Sequence, residues 1–184
     1  MRAFISMDMD AGERVGRFGQ ELGETDAALK VVDPGIMHVT LKFLGDIDGS
    51  LVPEIRGCME RSVTQVPQFR ARLEGVGAFP KMSKMKVIWI GVEEGGNMTV
   101  LAQRLEEELS SLGFREERRP FHPHLTVARV KGSRGMGKVK EVMSRWDGVE
   151  FGEQTMDSIR LKRSELGPRG PTYYTVEEVP LPGE

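Results

Sequence analysis

The sequence is poor in the residues that metal and redox chemistry draw on. It holds one cysteine, Cys58, and three histidines in 184 residues, so an intramolecular disulfide is impossible and a zinc site has few soft ligands to use. Long apolar runs are missing too. The longest are strand-sized, and Met1 to Asp10 carries Asp8 and Asp10 where a signal sequence would carry an apolar core. Neither sign of charge dominates: 26 Lys and Arg against 28 Asp and Glu leave a net charge of -2, which excludes a polyelectrolyte chain. With 39% hydrophobic residues the composition is that of a soluble globular protein, and the length suits one domain with a substantial core. The expectation is one domain over residues 1–184, cytoplasmic and monomeric, with no metal and no membrane contact.

What the chain does have is an alternation of strand and helix patterns punctuated by Gly, Pro, Asn and Asp. Met1 to Met7 reads as a strand, and Val15, Phe18 and Leu22 then fall at helical spacing. After the Asp33-Pro34-Gly35 turn, Met37 to Leu44 is a strand, and Leu51, Ile55, Met59 and Val63 make one helical face behind a cap at Ser50. Phe69 to Phe79 and Lys86 to Val92 are strands separated by a loop holding Pro80 and Ser83. Met98, Leu101, Leu105, Leu109 and Leu112 form the clearest amphipathic helix, with Asn97 as its cap and Gly113 as its stop. Strands at His124 to Val130, Met156 to Lys162 and Thr172 to Val179 follow, with a helix around Val139, Val142 and Trp146 between the first two.

Adding about 86 to a first-half element lands near a second-half element of the same type, the pattern of an internal duplication. Two such half-domains would pack as sheet-plus-helix lobes with a ligand groove at their seam. The repeat carries a chemical marker: His38-Val39-Thr40-Leu41 and His124-Leu125-Thr126-Val127 stand 86 residues apart, each in a strand. Residues two apart in a strand point to one face, so each His-Thr pair faces one way while its apolar neighbours face the core. A lone histidine in a strand is usually structural, and threonine is a common strand residue. Two matched copies at equivalent places in a repeat favour a shared site.

Two imidazoles on one cleft are a general acid and a general base that work near neutral pH without a metal. Phosphodiester cleavage needs both, one proton leaving the nucleophile and another reaching the departing oxygen. Thr40 and Thr126, stiff at χ1, suit the non-bridging phosphate oxygens. No serine or cysteine stands in a nucleophile elbow, so covalent catalysis has no evident actor.

Lys42, two residues beyond Thr40, is a further candidate for substrate contact. Arg129 is another, provided the strand ends or bulges after Val127; strict alternation would turn it away. Phe43 and Trp89 have the apolar neighbours of core residues, and stacking on a base is the alternative for them. His122 reads as a loop residue or a neighbour that positions His124. Between Arg115 and Lys140 eight Lys or Arg face two Glu before Glu141, a local basic run suited to a nucleic-acid backbone.

These residues resemble a known family. Arg2-Ala3-Phe4-Ile5, His38 to Gly45 (HVTLKFLG), Gly75 to Pro80 (GVGAFP), Trp89-Ile90-Gly91, Phe121 to Lys131 (FHPHLTVARVK) and Leu161 to Tyr173 are similar to the two-histidine phosphoesterases. Within that group they look most like the RNA 2',3'-cyclic phosphodiesterases once named 2'-5' RNA ligases. Lys86 and Glu165 depart from the usual pattern. The resemblance implies an α+β bilobal fold, two pseudo-symmetric antiparallel sheet-plus-helix lobes around a central cleft, and no cofactor. It also implies hydrolysis of a terminal 2',3'-cyclic phosphate to a 2'-phosphate, with His38 as proton donor to the 3'-oxygen and His124 as the base that activates water. The motifs are nearly symmetric, so sequence does not fix that order. Ligation to a 5'-hydroxyl, turnover of a small cyclic nucleotide, and binding of a nucleotide or RNA without turnover are the alternatives.

Overall fold

The computed structural model describes residues 1–183. In chain order the elements are β1 (Arg2–Asp8), α1 (Gly12–Glu24), β2 (Leu29–Val31), β3 (His38–Asp46), α2 (Val52–Val63), β4 (Phe69–Lys81), β5 (Lys84–Glu93), α3 (Asn97–Ser110), β6 (His124–Val130), α4 (Met136–Arg145), β7 (Glu150–Met156), β8 (Ser158–Gly167) and β9 (Gly170–Pro180). Short 3-10 turns precede β3 and α2. The strands form two antiparallel sheets, one in the order β3-β1-β8-β9 and the other β2-β6-β5-β4-β7. α2 and α3 cover the first sheet, and α1 covers the second with α4 packed beside it.

Each sheet has an apolar face under its helices and a face turned to the cleft. In β1, Ala3, Ile5 and Met7 sit in the core, whereas Phe4, Ser6 and Asp8 point the other way, as period-two alternation requires. Val15, Phe18, Gly19 and Leu22 form the buried stripe of α1. Gly19 is there for space, since a Cβ at that position would lie 3.1 Å from a Val31 methyl. Met98, Leu101, Leu105 and Leu109 do the same for α3.

The expected halves and the observed sheets do not coincide. The four-stranded sheet takes β1 and β3 from the first half of the chain and β8 and β9 from its end. Helices also cross over: α1 follows β1 but covers the five-stranded sheet, and α3 follows β5 but covers the four-stranded one. The orders β3-β1-β8-β9 and β6-β5-β4-β7 correspond strand for strand, with β2 added at the outer edge of β6. Exchange of elements ties the two sheets into one body.

Several local expectations are corrected. β4 continues through Pro80 to Lys81 and β5 starts at Lys84, so the expected loop is a two-residue hairpin at Met82 and Ser83. The expected strand from Met156 to Lys162 is the end of β7 and the start of β8, separated at Asp157. Sequence reading missed β2, which is three residues long, and β7, which has only Phe151 and Met156 buried. Asp48, not Ser50, caps the turn before α2, its carboxylate accepting the Ser50 N–H at 2.9 Å. At α3 the carboxylate of Glu94 accepts the Met98 N–H at 2.8 Å, and Asn97 donates to the Glu94 carbonyl instead of capping.

Candidate active site

β3 and β6 meet across the cleft between the sheets. Both begin on the motif histidine and both break register with their neighbour at the same place. Ser6 pairs with Thr40 and Ile5 with Lys42, leaving Leu41 extra; Trp89 pairs with Thr126 and Ile88 with Ala128, leaving Val127 extra. Each extra residue is a bulge that reverses the side-chain parity beyond it. Before the bulge, His38 and Thr40 face the cleft, as do His124 and Thr126, with Val39, Leu41, Leu125 and Val127 in the core.

The two histidines are held alike. His38 Nδ1 lies 2.9 Å from the Ile36 carbonyl and His124 Nδ1 lies 2.7 Å from the His122 carbonyl. A carbonyl only accepts, so Nδ1 carries the proton in both rings and Nε2 is the working nitrogen. His38 Nε2 is 3.1 Å from Thr40 Oγ1, within reach of its hydroxyl proton. His122, expected as a loop residue or a neighbour, thus orients His124 through its backbone.

Aromatic rings close around each imidazole. Phe4 stacks on His38 at 5.0 Å and Tyr173 meets the same ring edge-on at 5.3 Å. On the other sheet Phe79 stands edge-on to His124 at 4.9 Å and Trp89 lies 5.1 Å from His122. Burial holds the proton affinity of both catalytic candidates below the ordinary histidine value, because the low-dielectric surroundings disfavour imidazolium. The Ile36 carbonyl and Asp8 oppose this at His38, while Lys162 and Arg129 reinforce it. At His124 the His122 carbonyl opposes the shift, while the neighbouring His122 ring and Arg129 reinforce it.

Sequence reading did not find the charged group beside His38. Asp8 is the cross-strand partner of His38, and its carboxylate is paired with Lys162 at 2.7 Å and with Arg160. Lys162 is almost wholly buried, and the small Ser6 lies in the same row of the sheet as Arg160. The available signal was Asp8 itself, an acid closing an otherwise apolar strand.

The structure places the two accessory cations differently. Bulging after Val127 turns Arg129 to the cleft face, where its charge acts on His38, His124 and Tyr173. The matching bulge turns Lys42 inward. Lys42 is 6% exposed, pairs with Glu106 of α3 at 2.8 Å and donates to the Arg115 carbonyl at 2.7 Å, so it is unavailable to a ligand.

Phe43 exchanges places with it. Instead of packing in the core it is 70% exposed on the cleft side, its ring 6.2 Å from Phe4. Trp89 is half-buried on the cleft face, lying over Gly77 where any Cβ would collide with its ring. The basic run is divided: β6 separates the arginines before His124 from the cations after Val130, and only Arg129 lies between. Among the described residues no group of three or more His, Cys, Asp or Glu is placed to hold a metal ion, and no helix is long and apolar enough to cross a membrane.

Two sheets facing each other, each with a His-x-Thr strand at the seam, define a two-histidine phosphoesterase. The chain belongs to the 2'-5' RNA ligase superfamily, whose model matches residues 27–166. It is 37% identical over 179 residues to the RNA 2',3'-cyclic phosphodiesterase of Methanothermobacter thermautotrophicus, covering 96% of this chain and 97% of that one. It is 39% identical over 175 residues to the protein of that name from Archaeoglobus fulgidus, covering 94% and 96%. Among solved structures, TT0787 of Thermus thermophilus matches over the whole of both chains with a TM-score of 0.83 and 30% identity. The E. coli LigT complex with 3'-AMP shares the fold, with a TM-score of 0.75 over 98% of this chain and 97% of that one, at 21% identity.

Proposed function

We propose that this protein is a hydrolase that opens 2',3'-cyclic phosphate ends of RNA to 2'-phosphomonoesters, with His38 and His124 as its acid and base. The observation that carries the reading is the matched pinning of the two imidazoles. Each donates its Nδ1–H to the carbonyl two residues upstream, which leaves Nε2 as the nitrogen that can exchange a proton in both rings. The relatives' names support the same substrate class.

His124, buried and with Arg129 beside it, is biased to the neutral form and takes a proton from water as it attacks phosphorus. His38 delivers its proton to the departing 3'-oxygen; among the charges around it Lys162 and Arg129 disfavour imidazolium and Asp8 favours it. Protonation of the 3'-oxygen leaves the phosphate on the 2'-oxygen. Thr40 and Thr126 donate to the non-bridging oxygens, and Arg129 offsets the charge that builds there. Phe43, exposed beside Phe4, offers a face for the base.

The test is incubation with an oligoribonucleotide ending in a 2',3'-cyclic phosphate, with EDTA present, and identification of the terminal phosphate. A 2'-phosphate is the expected product. A 3'-phosphate would reverse the roles of the histidines. Activity that EDTA abolishes would overturn the metal-free chemistry, and no product with either this substrate or a nucleoside cyclic phosphate would overturn the enzyme reading.

A further inference from the structure

The outer edge of the five-stranded sheet carries a cation that the chemistry above does not use. Lys30 of β2 is the direct cross-strand partner of Arg129 of β6, so the two share the cleft face. Like charges directly opposite each other in a sheet repel. Neither has a carboxylate partner within 4.0 Å among the described residues. Two adjacent, exposed, unneutralised cations facing a cleft are a place for an anion.

The lysine is also held in position from across the cleft. Its Nζ donates to the Arg169 carbonyl at 3.1 Å, in the hairpin between β8 and β9 of the opposite sheet. Gly170 makes room for it, since a Cβ there would stand 2.9 Å from Nζ. One of the three ammonium donors is thereby used, and two are left for a ligand. The reacting phosphate is not that ligand. Arg129 lies five residues beyond His124, about 16 Å of extended strand, and Lys30 lies one strand further out, about 4.8 Å from it. The charge of Arg129 acts on both histidines, whereas Lys30 is tethered to the hairpin.

We propose that Lys30, next to Arg129, forms a second anion subsite for the phosphodiester on the 5' side of the terminal nucleotide, so that the enzyme reads the end of an RNA chain in preference to a free nucleotide. The subsite rests on the cyclic-phosphate reading and specifies its substrate class. A cyclic mononucleotide has no such second phosphate and gains nothing from Lys30.

The experiment compares kcat/KM for a short oligoribonucleotide with a 2',3'-cyclic phosphate end and for the corresponding nucleoside 2',3'-cyclic monophosphate, in the wild type, Lys30→Met and Lys30→Arg. Lys30→Met is expected to lower the oligonucleotide-to-mononucleotide ratio about tenfold, and Lys30→Arg to restore most of it. The salt dependence of oligonucleotide KM should flatten by about 0.7 in a log-log plot, the value for one lost single-strand phosphate contact. An unchanged ratio in Lys30→Met, or an equal fall for both substrates, overturns the subsite. A wild type that turns over neither substrate overturns the function reading instead. Fluorescence anisotropy of the same oligonucleotide, titrated with salt, then still reads Lys30 through the difference in slope between wild type and Lys30→Met.

Discussion

Phe43 and Arg129 occupy the same place in the two motif strands, each five residues beyond its histidine and each turned to the cleft by a one-residue bulge. The two sheets therefore present different chemistry from equivalent positions. One gives an exposed ring beside Phe4, and the other a guanidinium whose charge reaches both imidazoles. A pseudo-symmetric cleft gains direction this way, with a face for a base on one side and positive charge on the other.

Phe43→Ala is expected to weaken substrate binding without unfolding the protein. Stacking on an aromatic face is worth about 1–3 kcal/mol per base, so KM for a cyclic-phosphate substrate should rise about tenfold. A side chain that is 70% exposed contributes little to the core, and the melting temperature should stay within about 2 °C. Steady-state kinetics beside a thermal melt checks both. A large loss of stability with unchanged KM would mean that the ring serves packing after all.

The motif histidines and threonines were legible because strand alternation needs only local sequence. What escaped the sequence reading turns on the bulges, which shift parity by one residue and are set by pairing with β1 and β5. Lys42 and Phe43 are the clearest case: alternation from His38 places the lysine in the cleft and the ring in the core, and one extra residue at Leu41 reverses both. Arg129 was legible only as a condition, that the strand end or bulge after Val127. Asp8 with Lys162 and Lys30 with Arg129 are contacts between strands distant in sequence, and no local pattern encodes them. β7 lacked a signal for another reason. It is an edge strand with few buried side chains, so its apolar alternation is faint.

Lys42→Met separates the structural reading of that lysine from a substrate-binding one. Its ammonium is buried against Glu106 and the Arg115 carbonyl. Removing it leaves a mostly buried carboxylate without its cation, at a cost of about 3 kcal/mol. For a chain of this size that is a drop of roughly 6–12 °C in melting temperature. At a temperature where the variant is folded, kcat/KM should change less than about twofold. A stable variant with impaired KM would restore Lys42 to the site.

His38→Ala and His124→Ala should each lower kcat at least a hundredfold, since positioned proton transfer contributes about 10²- to 10⁴-fold. The double variant should lose far less than the product of the two, because an acid and a base acting in one displacement work as a unit. Binding of the product should survive in the single variants, with the threonines and Arg129 intact. Either single variant with full activity would exclude the acid/base pair, and equal loss of product binding and turnover would favour a binding role for the imidazoles.

The pH dependence follows from burial, which lowers both histidines below about 6.5 in the free protein. The proposed roles need His38 protonated and His124 neutral. The fraction of protein in that form peaks between the two values and falls on either side, so kcat/KM should trace a bell whose maximum lies on the acid side of pH 6.5. A bound phosphate anion favours imidazolium and raises both values, which moves the kcat profile to higher pH than the kcat/KM profile. The same shifts act on stability with a definite sign. An unfolded histidine binds protons more readily than either buried ring, so the neutral rings contribute stability that is fully present above about pH 6.5 and is lost as pH falls through their folded values. Denaturant midpoints should therefore fall more steeply between about pH 7 and pH 5 in the wild type than in the His38→Gln/His124→Gln double variant. A kcat/KM maximum above pH 7 would show that the groups favouring imidazolium, Asp8 and the two carbonyls at Nδ1, outweigh desolvation.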